Sequence, residues 1–75
     1  MTAKTQTTRL RGADVRLARG RAGLTQEVVA KRLRVYEAAM AEVENERLEL
    51  AQHEYQRILG VIEELSGGTE QESQG

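Results

Sequence analysis

The chain of 75 residues contains no cysteine, proline, tryptophan or phenylalanine, and its only aromatic residues are Tyr36 and Tyr55. Without cysteine it can form neither disulfides nor cysteine-ligated metal sites. No apolar run approaches the roughly 18 residues that a membrane-spanning helix needs. A chain of this length can bury one small core, so we expect a single domain. Because no apolar segment follows the basic N-terminus, we expect no secretory signal and a cytoplasmic location.

Charge is distributed unevenly along the chain. Residues 1–34 contain nine Lys or Arg and two acidic residues, a balance of +7, whereas residues 35–75 contain two Arg and ten acidic residues, a balance of -8. A basic half is typical of a surface that meets a polyanion, and an acidic half favours approach of a nucleic acid from one side only. The alternative is that these charges are solvated helix faces.

The spacing of apolar residues predicts an all-α, compact bundle of four or five short helices. Gly23 is expected to end the first helix, Thr25 to cap the second, and Asn45 to end the third in a left-handed conformation. The predicted helices are Leu10 to Ala22, Thr25 to Leu33, a third that runs to Asn45, and Ala51 to Leu65. Tyr36 is expected to cap or precede the third helix. Residues 1–9 are predicted to be a flexible basic arm, 10–65 the helical domain and 66–75 a disordered tail that begins at Ser66-Gly67-Gly68.

One face of each helix is expected to pack inward. The last helix presents more apolar surface than three small helices can cover, so we expect part of it to be the seam of a homodimer. A head-to-tail contact between the basic and acidic halves is a second mode of association. The predicted core residues are Val15, Ala18, Ala22, Val28, Val29, Ala30, Leu33, Val35, Met40 and Val43. The apolar surface of the last helix, part of which is the predicted seam, consists of Tyr55, Ile58, Leu59, Val61, Ile62 and Leu65.

The stretch from Ala22 to Asn45 resembles the helix-turn-helix of the phage repressor and Cro family, also called Xre-type regulators. The family pattern has a Gly-Leu-Thr-Gln start, an apolar-Ala pair, a Gly-Val turn, an apolar residue in the second helix and a closing Glu-Asn-Gly. Those places are filled here by Gly23, Leu24, Thr25, Gln26, Val29, Ala30, Val35, Met40, Val43, Glu44 and Asn45. The resemblance covers roughly residues 10–65 and implies a lambda-repressor-like fold. It departs from the pattern at Arg34 and Glu46, where the family has Gly.

The resemblance also implies which residues face DNA. In the family, outward positions on the second helix reach base edges in the major groove, and these correspond to Tyr36, Glu37, Ala38, Ala41 and Glu42. None is an Arg, Lys, Asn or Gln, the types that make the commonest bidentate contacts to bases. A Glu can accept a hydrogen bond from the cytosine amino group, and an Ala can contact a thymine methyl. The same surface fits equally well the acidic face of a protein-binding module.

Other positions are implied to contact phosphate or to hold the fold together. Thr25 and Gln26 begin the first motif helix, where free N–H groups and the helix dipole favour an anion, and an ordinary capped helix end is the alternative. The family further implies backbone contacts by Asn45 and Arg47, and an ion pair between Arg19 and Glu44; a phosphate contact is the alternative for Arg19. Basic residues near the N-terminus are either a flexible arm that tracks the duplex or simply solvated, namely Lys4, Arg9 and Arg11.

Nothing in the sequence indicates catalysis, a cofactor or a metal. His53 is the only histidine, and one histidine without spaced partners falls far short of a metal-binding signature. The cluster of carboxylates is expected to be a solvated acidic face, since a small helical domain offers little pocket in which to shift a pKa. Its members are Glu42, Glu44, Glu46 and Glu49. Ser66 and Ser73 lie in the predicted tail with no base beside them.

The leading hypothesis is a small helix-turn-helix regulator of transcription, encoded by a phage or mobile element, that binds duplex DNA as a homodimer. The runner-up is a repurposed helix-turn-helix that binds a protein, such as a repressor, a polymerase or a nuclease, through its acidic C-terminal half. A third hypothesis is a dimerisation module with no other activity.

Overall fold

A computed structural model describes the backbone of residues 9–74 and the side chains of residues 9–67. Over that range the chain forms four α-helices and no strand: α1 Gly12–Ala22, α2 Gln26–Leu33, α3 Glu37–Glu44 and α4 Gln52–Gln74. The prediction of an all-α bundle is therefore confirmed. Helices α1 and α2 each pack against both α3 and α4. Apart from Arg9, the predicted N-terminal arm, residues 1–9, lies outside the described residues.

Helices α1, α2 and α3 end with the same backbone arrangement, in which one residue adopts a left-handed conformation. These residues are Gly23, Arg34 and Glu46, with φ of 71°, 65° and 62°. In each case the next residue donates its N–H to the carbonyl five residues earlier: Leu24 to Arg19, Val35 to Ala30 and Arg47 to Glu42. This pattern satisfies carbonyl groups that a helix end leaves free. The left-handed conformation predicted for Asn45 is wrong, since its φ is -86° and Glu46 takes that role.

The core lies where the four helices meet, and most of the residues predicted to face inward do so. Ala30 is 2% exposed, as expected for a small residue between closely packed helices. Burial of this set supplies the main favourable term in folding, at about 25 cal/mol per Å² of apolar surface. The buried apolar residues are Val15, Val29, Ala30, Met40, Val43, Tyr55, Ile58 and Ile62.

Two residues predicted to be in the core lie at the surface instead. Val28 is 43% exposed, because one face of the short helix α2 is already filled by Val29 and Ala30. Val35 is 45% exposed, because it follows the left-handed Arg34, where the chain leaves α2 before α3 begins. Both predictions of burial are therefore wrong.

The start of α1 packs unusually closely against the end of α3. Gly12 is buried, and a Cβ atom added there would collide with the carbonyl oxygen of Val43. The helix begins at Gly12, later than the predicted Leu10, and the N–H of Arg11 donates to a carboxylate oxygen of Asp14 at 2.7 Å. Leu10 instead exchanges two hydrogen bonds of 2.8 and 2.9 Å with the side chain of Gln52, which ties this segment to α4.

Helix α4 is longer than predicted. It continues through Ser66, Gly67 and Gly68 to Gln74, so the predicted end at Leu65 is wrong and the segment predicted as a disordered tail is helical as far as Gln74. Glu and Gln dominate residues 70–74 and are good helix formers, while each Gly costs only about 1 kcal/mol relative to Ala. In the part of the chain that the structure describes, no helix is long and apolar enough to cross a membrane.

The predicted dimer seam on α4 is mostly occupied within the domain. Tyr55, Ile58 and Ile62 are at most 6% exposed, and Leu59, Val61 and Leu65 are half-buried against the core. The hydroxyl of Tyr55 also accepts a hydrogen bond of 3.0 Å from the N–H of Leu50. This stripe therefore serves the fold, and substitutions such as Ile58→Asp would measure stability rather than self-association.

Candidate nucleic-acid interface

Thr25 begins α2 as the sequence predicts. Its extended backbone has a φ of -86°, and its hydroxyl oxygen accepts a hydrogen bond of 3.1 Å from the N–H of Val28. This cap satisfies one of the N–H groups that the first turn leaves free, while the others point away from the helix towards solvent. The exposed start of α2 can therefore receive an anion.

The Arg19 and Glu44 side chains form the ion pair that the family resemblance implies. Two parallel hydrogen bonds join them, from Nε to Oε2 at 2.7 Å and from Nη2 to Oε1 at 2.8 Å. The remaining nitrogen, Nη1, donates to the carbonyl of Leu24 at 2.8 Å. Since Arg19 is committed in this way, the alternative of a phosphate contact by its guanidinium is not favoured. The pair joins α1 to α3 and also holds the connection that leads into α2.

Gln26 is brought to the same carboxylate. Its side-chain Nε2 donates to Oε1 of Glu44 at 3.0 Å, so α1, α2 and α3 all meet at one buried acid. Burial opposes ionisation of Glu44, but the hydrogen bonds from Arg19 and Gln26 outweigh it and hold the pKa of Glu44 below its usual value. An amide nitrogen carries two hydrogens, so Gln26 retains one donor for a further partner.

The outward face of α3 carries the residues that the resemblance assigns to base contacts. Tyr36 precedes the helix and is 86% exposed, which makes it the most exposed of the large apolar side chains described. Glu37, Ala38 and Glu42 are exposed, and Ala41 is half-buried. The structure therefore exposes four of these five side chains to solvent: three on α3 and that of Tyr36, which immediately precedes the helix.

Asn45 and Arg47 lie in the connection that follows α3, and both are exposed. The guanidinium of Arg47 approaches the carboxylate of Glu42 at 3.9 Å, a distance at which an exposed pair contributes little. Because Gln26 contacts Glu44, the residue before Asn45, the start of α2 and the end of α3 lie side by side. The predicted phosphate-contacting residues therefore lie near one another, at the C-terminal end of α3.

Glu46 has a structural role that the sequence does not reveal. Its carboxylate accepts hydrogen bonds from the side chain of Arg11 at 2.7 Å and from the N–H of Ala13 at 3.1 Å. The bond from Arg11 is the main reason that the pKa of Glu46 is lowered, and the bond from Ala13 adds to it. Glu46 thus caps α1 across space, a role that required knowledge of the contact between α1 and α3. Arg11, predicted as part of a mobile arm, is held in this contact.

Several basic side chains remain exposed on α1, on α2 and in the connection to α3: Arg16, Arg21, Lys31 and Arg34. Others pair with acids at the surface, Arg32 with Glu64 at 3.0 Å and Arg9 with Glu49 at 3.8 Å. The described bases therefore lie mainly on the N-terminal half, and the acids mainly on α3, on the connection after it and on α4, as the sequence predicts.

Among the described side chains, no group of three or more His, Asp or Glu lies close enough to hold a metal ion. His53 contacts only its neighbour Glu54 among these residues, at 3.4 Å and in an exposed position. No family model, curated protein or solved structure matches this chain. The assignment of function therefore depends on the sequence and on the geometry described above.

Proposed function

We propose that α2, the connection Arg34-Val35-Tyr36 and α3 form a helix-turn-helix of the phage repressor and Cro type that binds duplex DNA. The observation that carries this proposal concerns Arg34 and Glu46. They are the two positions at which the family pattern has Gly, and both have a positive φ, of 65° and 62°. Glycine is the residue best suited to that conformation, so the positive φ at both places supports the proposal even though the side chains differ from the family pattern.

The chemistry of the exposed face gives each part a role. With α3 in the major groove, Glu37 accepts a hydrogen bond from a cytosine amino group, and Ala38 contacts a thymine methyl. The capped start of α2 receives a phosphate through its free N–H groups, with Thr25 at its edge. Asn45 and Arg47 contact the DNA backbone at the C-terminal end of α3, beside the start of α2. Gln26, fixed by Glu44, offers its second amide hydrogen to the same phosphate as α2.

In this proposal the protein is a cytoplasmic regulator of transcription that acts as a repressor by occupying its operator. It binds as a homodimer, whose two copies of α3 read half-sites about 34 Å apart. Phages and mobile elements are the sources in which we expect such a small regulator.

The test is a titration of labelled duplex DNA at about 50 and about 200 mM salt, since each neutralised phosphate steepens the fall of affinity with salt. Asn45→Glu adds one negative charge beside α3, whereas the matched control Gln56→Glu adds the same charge on an exposed turn of α4. We expect the first to weaken binding by about tenfold at low salt and the second to leave it unchanged. No binding of the wild-type chain at low salt would overturn the proposal, and equal effects of the two variants would overturn the assigned surface.

A second candidate function is supported by the charge of α3. Its exposed charged side chains are Glu37 and Glu42, and no Lys or Arg lies within the helix. An acidic helix of this kind also fits a basic surface on a repressor, a polymerase or a nuclease. In that case Glu37→Lys with Glu42→Lys abolishes capture of the protein partner, whereas under the first proposal the same double substitution strengthens binding to random DNA by removing two negative charges that face phosphate. Intact capture by the double variant would count against the second candidate.

A further inference from the structure

We propose that a groove between α3 and α4 is a binding site for a free aliphatic α-amino acid. This site goes beyond the proposed function and does not depend on DNA binding. The groove has a volume of about 180 Å³. Three buried residues of the core, Met40, Val43 and Ile58, form its floor.

The walls of the groove are aliphatic and partly uncovered. Val35 and Leu48 are 45% and 43% exposed, and they lie on two different connections between helices. Apolar residues on a protein surface are usually scattered singly, whereas these two line one concave site. Removing such a surface from water is favourable, so the groove is suited to hold an apolar group.

The size of the groove limits that apolar group to a small one. Pockets for drug-sized ligands have volumes of roughly 300–1,000 Å³, and a water molecule occupies about 30 Å³ in the liquid. The groove, with about 180 Å³, therefore has room for about six groups of that size. A branched aliphatic side chain such as that of leucine fits within this limit.

Two opposite charges at the edge of the groove determine the polar part of the ligand. Glu54 and Arg57 both line it and lie three residues apart on α4, a spacing at which helical side chains are neighbours. Among the described side chains, no ion pair joins these two, and the only such contact of either is that of Glu54 with the exposed His53, at 3.4 Å. An α-amino acid carries an ammonium and a carboxylate on one carbon. One molecule can therefore give Glu54 a cation and Arg57 an anion.

The same two charges disfavour simpler apolar ligands. An aliphatic carboxylate bound to Arg57 would place its charge near that of Glu54, and an alkylamine bound to Glu54 would place its charge near that of Arg57. Glycine would satisfy both charges but would leave the aliphatic walls exposed to water. A zwitterion with an aliphatic side chain is the ligand that uses all three features of the groove.

The proposed site does not overlap the surface assigned to DNA. Met40 and Val43 belong to α3, whereas none of the five residues assigned to bases lines the groove. A bound amino acid would therefore contact the buried side of α3 and leave its exposed face available.

Titration of the isotope-labelled chain with L-leucine, followed by the NMR shifts of its backbone amides, tests the site. Because both charged groups are partly solvated, we expect a Kd of about 0.1–1 mM. The amides of Val35 and Leu48 should shift, whereas that of Gly20, on α1 and outside the groove, should not. A pH of about 7.5 keeps the leucine zwitterionic, and a histidine such as His53 is ordinarily neutral there.

Three analogues each remove one feature of leucine. The ammonium is missing from 4-methylpentanoate, the carboxylate from 3-methylbutylamine and the aliphatic side chain from glycine. Each should bind at least about threefold more weakly than leucine. An analogue that binds as tightly as leucine would overturn the proposed ligand class.

Variants that remove one charge assign the two polar contacts. Glu54→Gln should weaken leucine binding by at least about threefold but should not weaken binding of 4-methylpentanoate, because it removes a repulsion. Arg57→Gln should weaken leucine binding to a similar extent without weakening that of 3-methylbutylamine. Glu63→Gln, at an exposed position of α4 outside the groove, should leave every affinity unchanged.

These substitutions are at charged side chains outside the core, so thermal unfolding should show that all three variants are folded. The absence of shifts at Val35 and Leu48 with up to about 20 mM leucine would overturn the site, since even a Kd of about 1 mM would then give near saturation. Unchanged leucine affinity in either Glu54→Gln or Arg57→Gln would overturn the assigned contacts. Because no DNA is present, these outcomes are independent of whether the chain binds DNA.

Discussion

The carboxylate of Glu44 is 2% exposed and holds the guanidinium of Arg19 through two hydrogen bonds of 2.7 and 2.8 Å. A third bond, from Gln26, brings α2 to the same acid. Every polar group at this junction has a partner, since no described side-chain nitrogen or oxygen is buried without one. The junction therefore fixes how α1, α2 and α3 lie relative to one another, and the exposed face of α3 depends on it.

A double-mutant cycle on Arg19 and Glu44 tests the strength of this junction. Either Arg19→Met or Glu44→Leu leaves one charge without its partner in a largely buried place, and we expect each to lower the free energy of unfolding by about 3 kcal/mol. The double variant removes both charges together and should cost less than either single variant. Urea unfolding measures all four proteins. Additive effects of the two single substitutions would show that the pair is not coupled.

Acid should destabilise the domain through Glu44 and Glu46. Both pKa values are lowered in the folded state, Glu44 by its bonds to Arg19 and Gln26 against the opposing effect of burial, and Glu46 chiefly by Arg11. A carboxylate whose pKa is lower in the folded state than in the unfolded state stabilises the fold when it is ionised. This stabilisation is complete well above the unfolded pKa of about 4.3 and is lost as the pH falls through the folded pKa. We therefore expect the urea concentration at the midpoint of unfolding to decrease once the pH drops below about 4.5. The Glu44→Gln variant should be less stable than the wild type near neutral pH, and its urea midpoint should decrease less steeply with falling pH. A decrease as steep as that of the wild type would contradict this account.

Arg34 and Glu46 share a strained backbone but should respond differently to glycine. Arg34 has no described side-chain hydrogen bond in its turn, so Arg34→Gly should relieve the left-handed strain and stabilise the domain by about 0.5–1 kcal/mol. Such a gain corresponds to a rise in Tm of about 2–8 °C for a domain of this size. Glu46→Gly relieves the same strain but removes the acceptor for Arg11 and Ala13. Calorimetry should show no gain for it, and equal gains in both variants would contradict the capping role of Glu46.

The parts of the fold that were predictable depend on neighbours in sequence. The helical spacing of apolar residues marks the four helices, and Thr25 and Gly23 mark two of their ends through their own conformational preferences. The ion pair of Arg19 with Glu44 was reached only through the family resemblance, because 25 residues separate the two. The local spacing of apolar residues does not indicate which residues so far apart in the sequence come into contact.

The parts that were not predictable depend on how helices meet. Glu46 caps α1 only because Gly12 lets α1 approach α3, and Gln26 binds Glu44 only because α2 begins beside the end of α3. The exposure of Val35 follows from a left-handed Arg34 that no glycine signalled. The extension of α4 arose because helix-forming residues after Gly68 outweighed the two glycines.

The close approach of α1 and α3 can be tested by adding a methyl group. Gly12→Ala places a Cβ against the carbonyl oxygen of Val43, a rigid backbone atom, and should cost about 2 kcal/mol or more. Gly20→Ala makes the same change in the same helix, where a Cβ meets no atom within 4 Å. It should stabilise α1 by about 0.5–1 kcal/mol. Thermal unfolding of the two variants distinguishes the effect of the steric clash on stability from the effect of helix propensity. Similar Tm values for both variants would exclude the close approach of α1 and α3.

The charge of Glu37 should influence DNA binding in two opposite ways. Removing a negative charge that faces the duplex reduces repulsion of phosphate, so Glu37→Gln should raise affinity for random DNA by about threefold at low salt and less at high salt. The same substitution leaves a neutral amide oxygen in place of the charged acceptor for a cytosine amino group, so the hydrogen bond weakens and should cost about 1 kcal/mol on an operator selected from random DNA. Glu63→Gln, at an exposed position on α4, removes an equal charge away from the proposed interface and should alter neither affinity. Binding measured by fluorescence anisotropy on both DNAs would separate the two effects, and identical behaviour of the two variants would remove Glu37 from the DNA-binding surface.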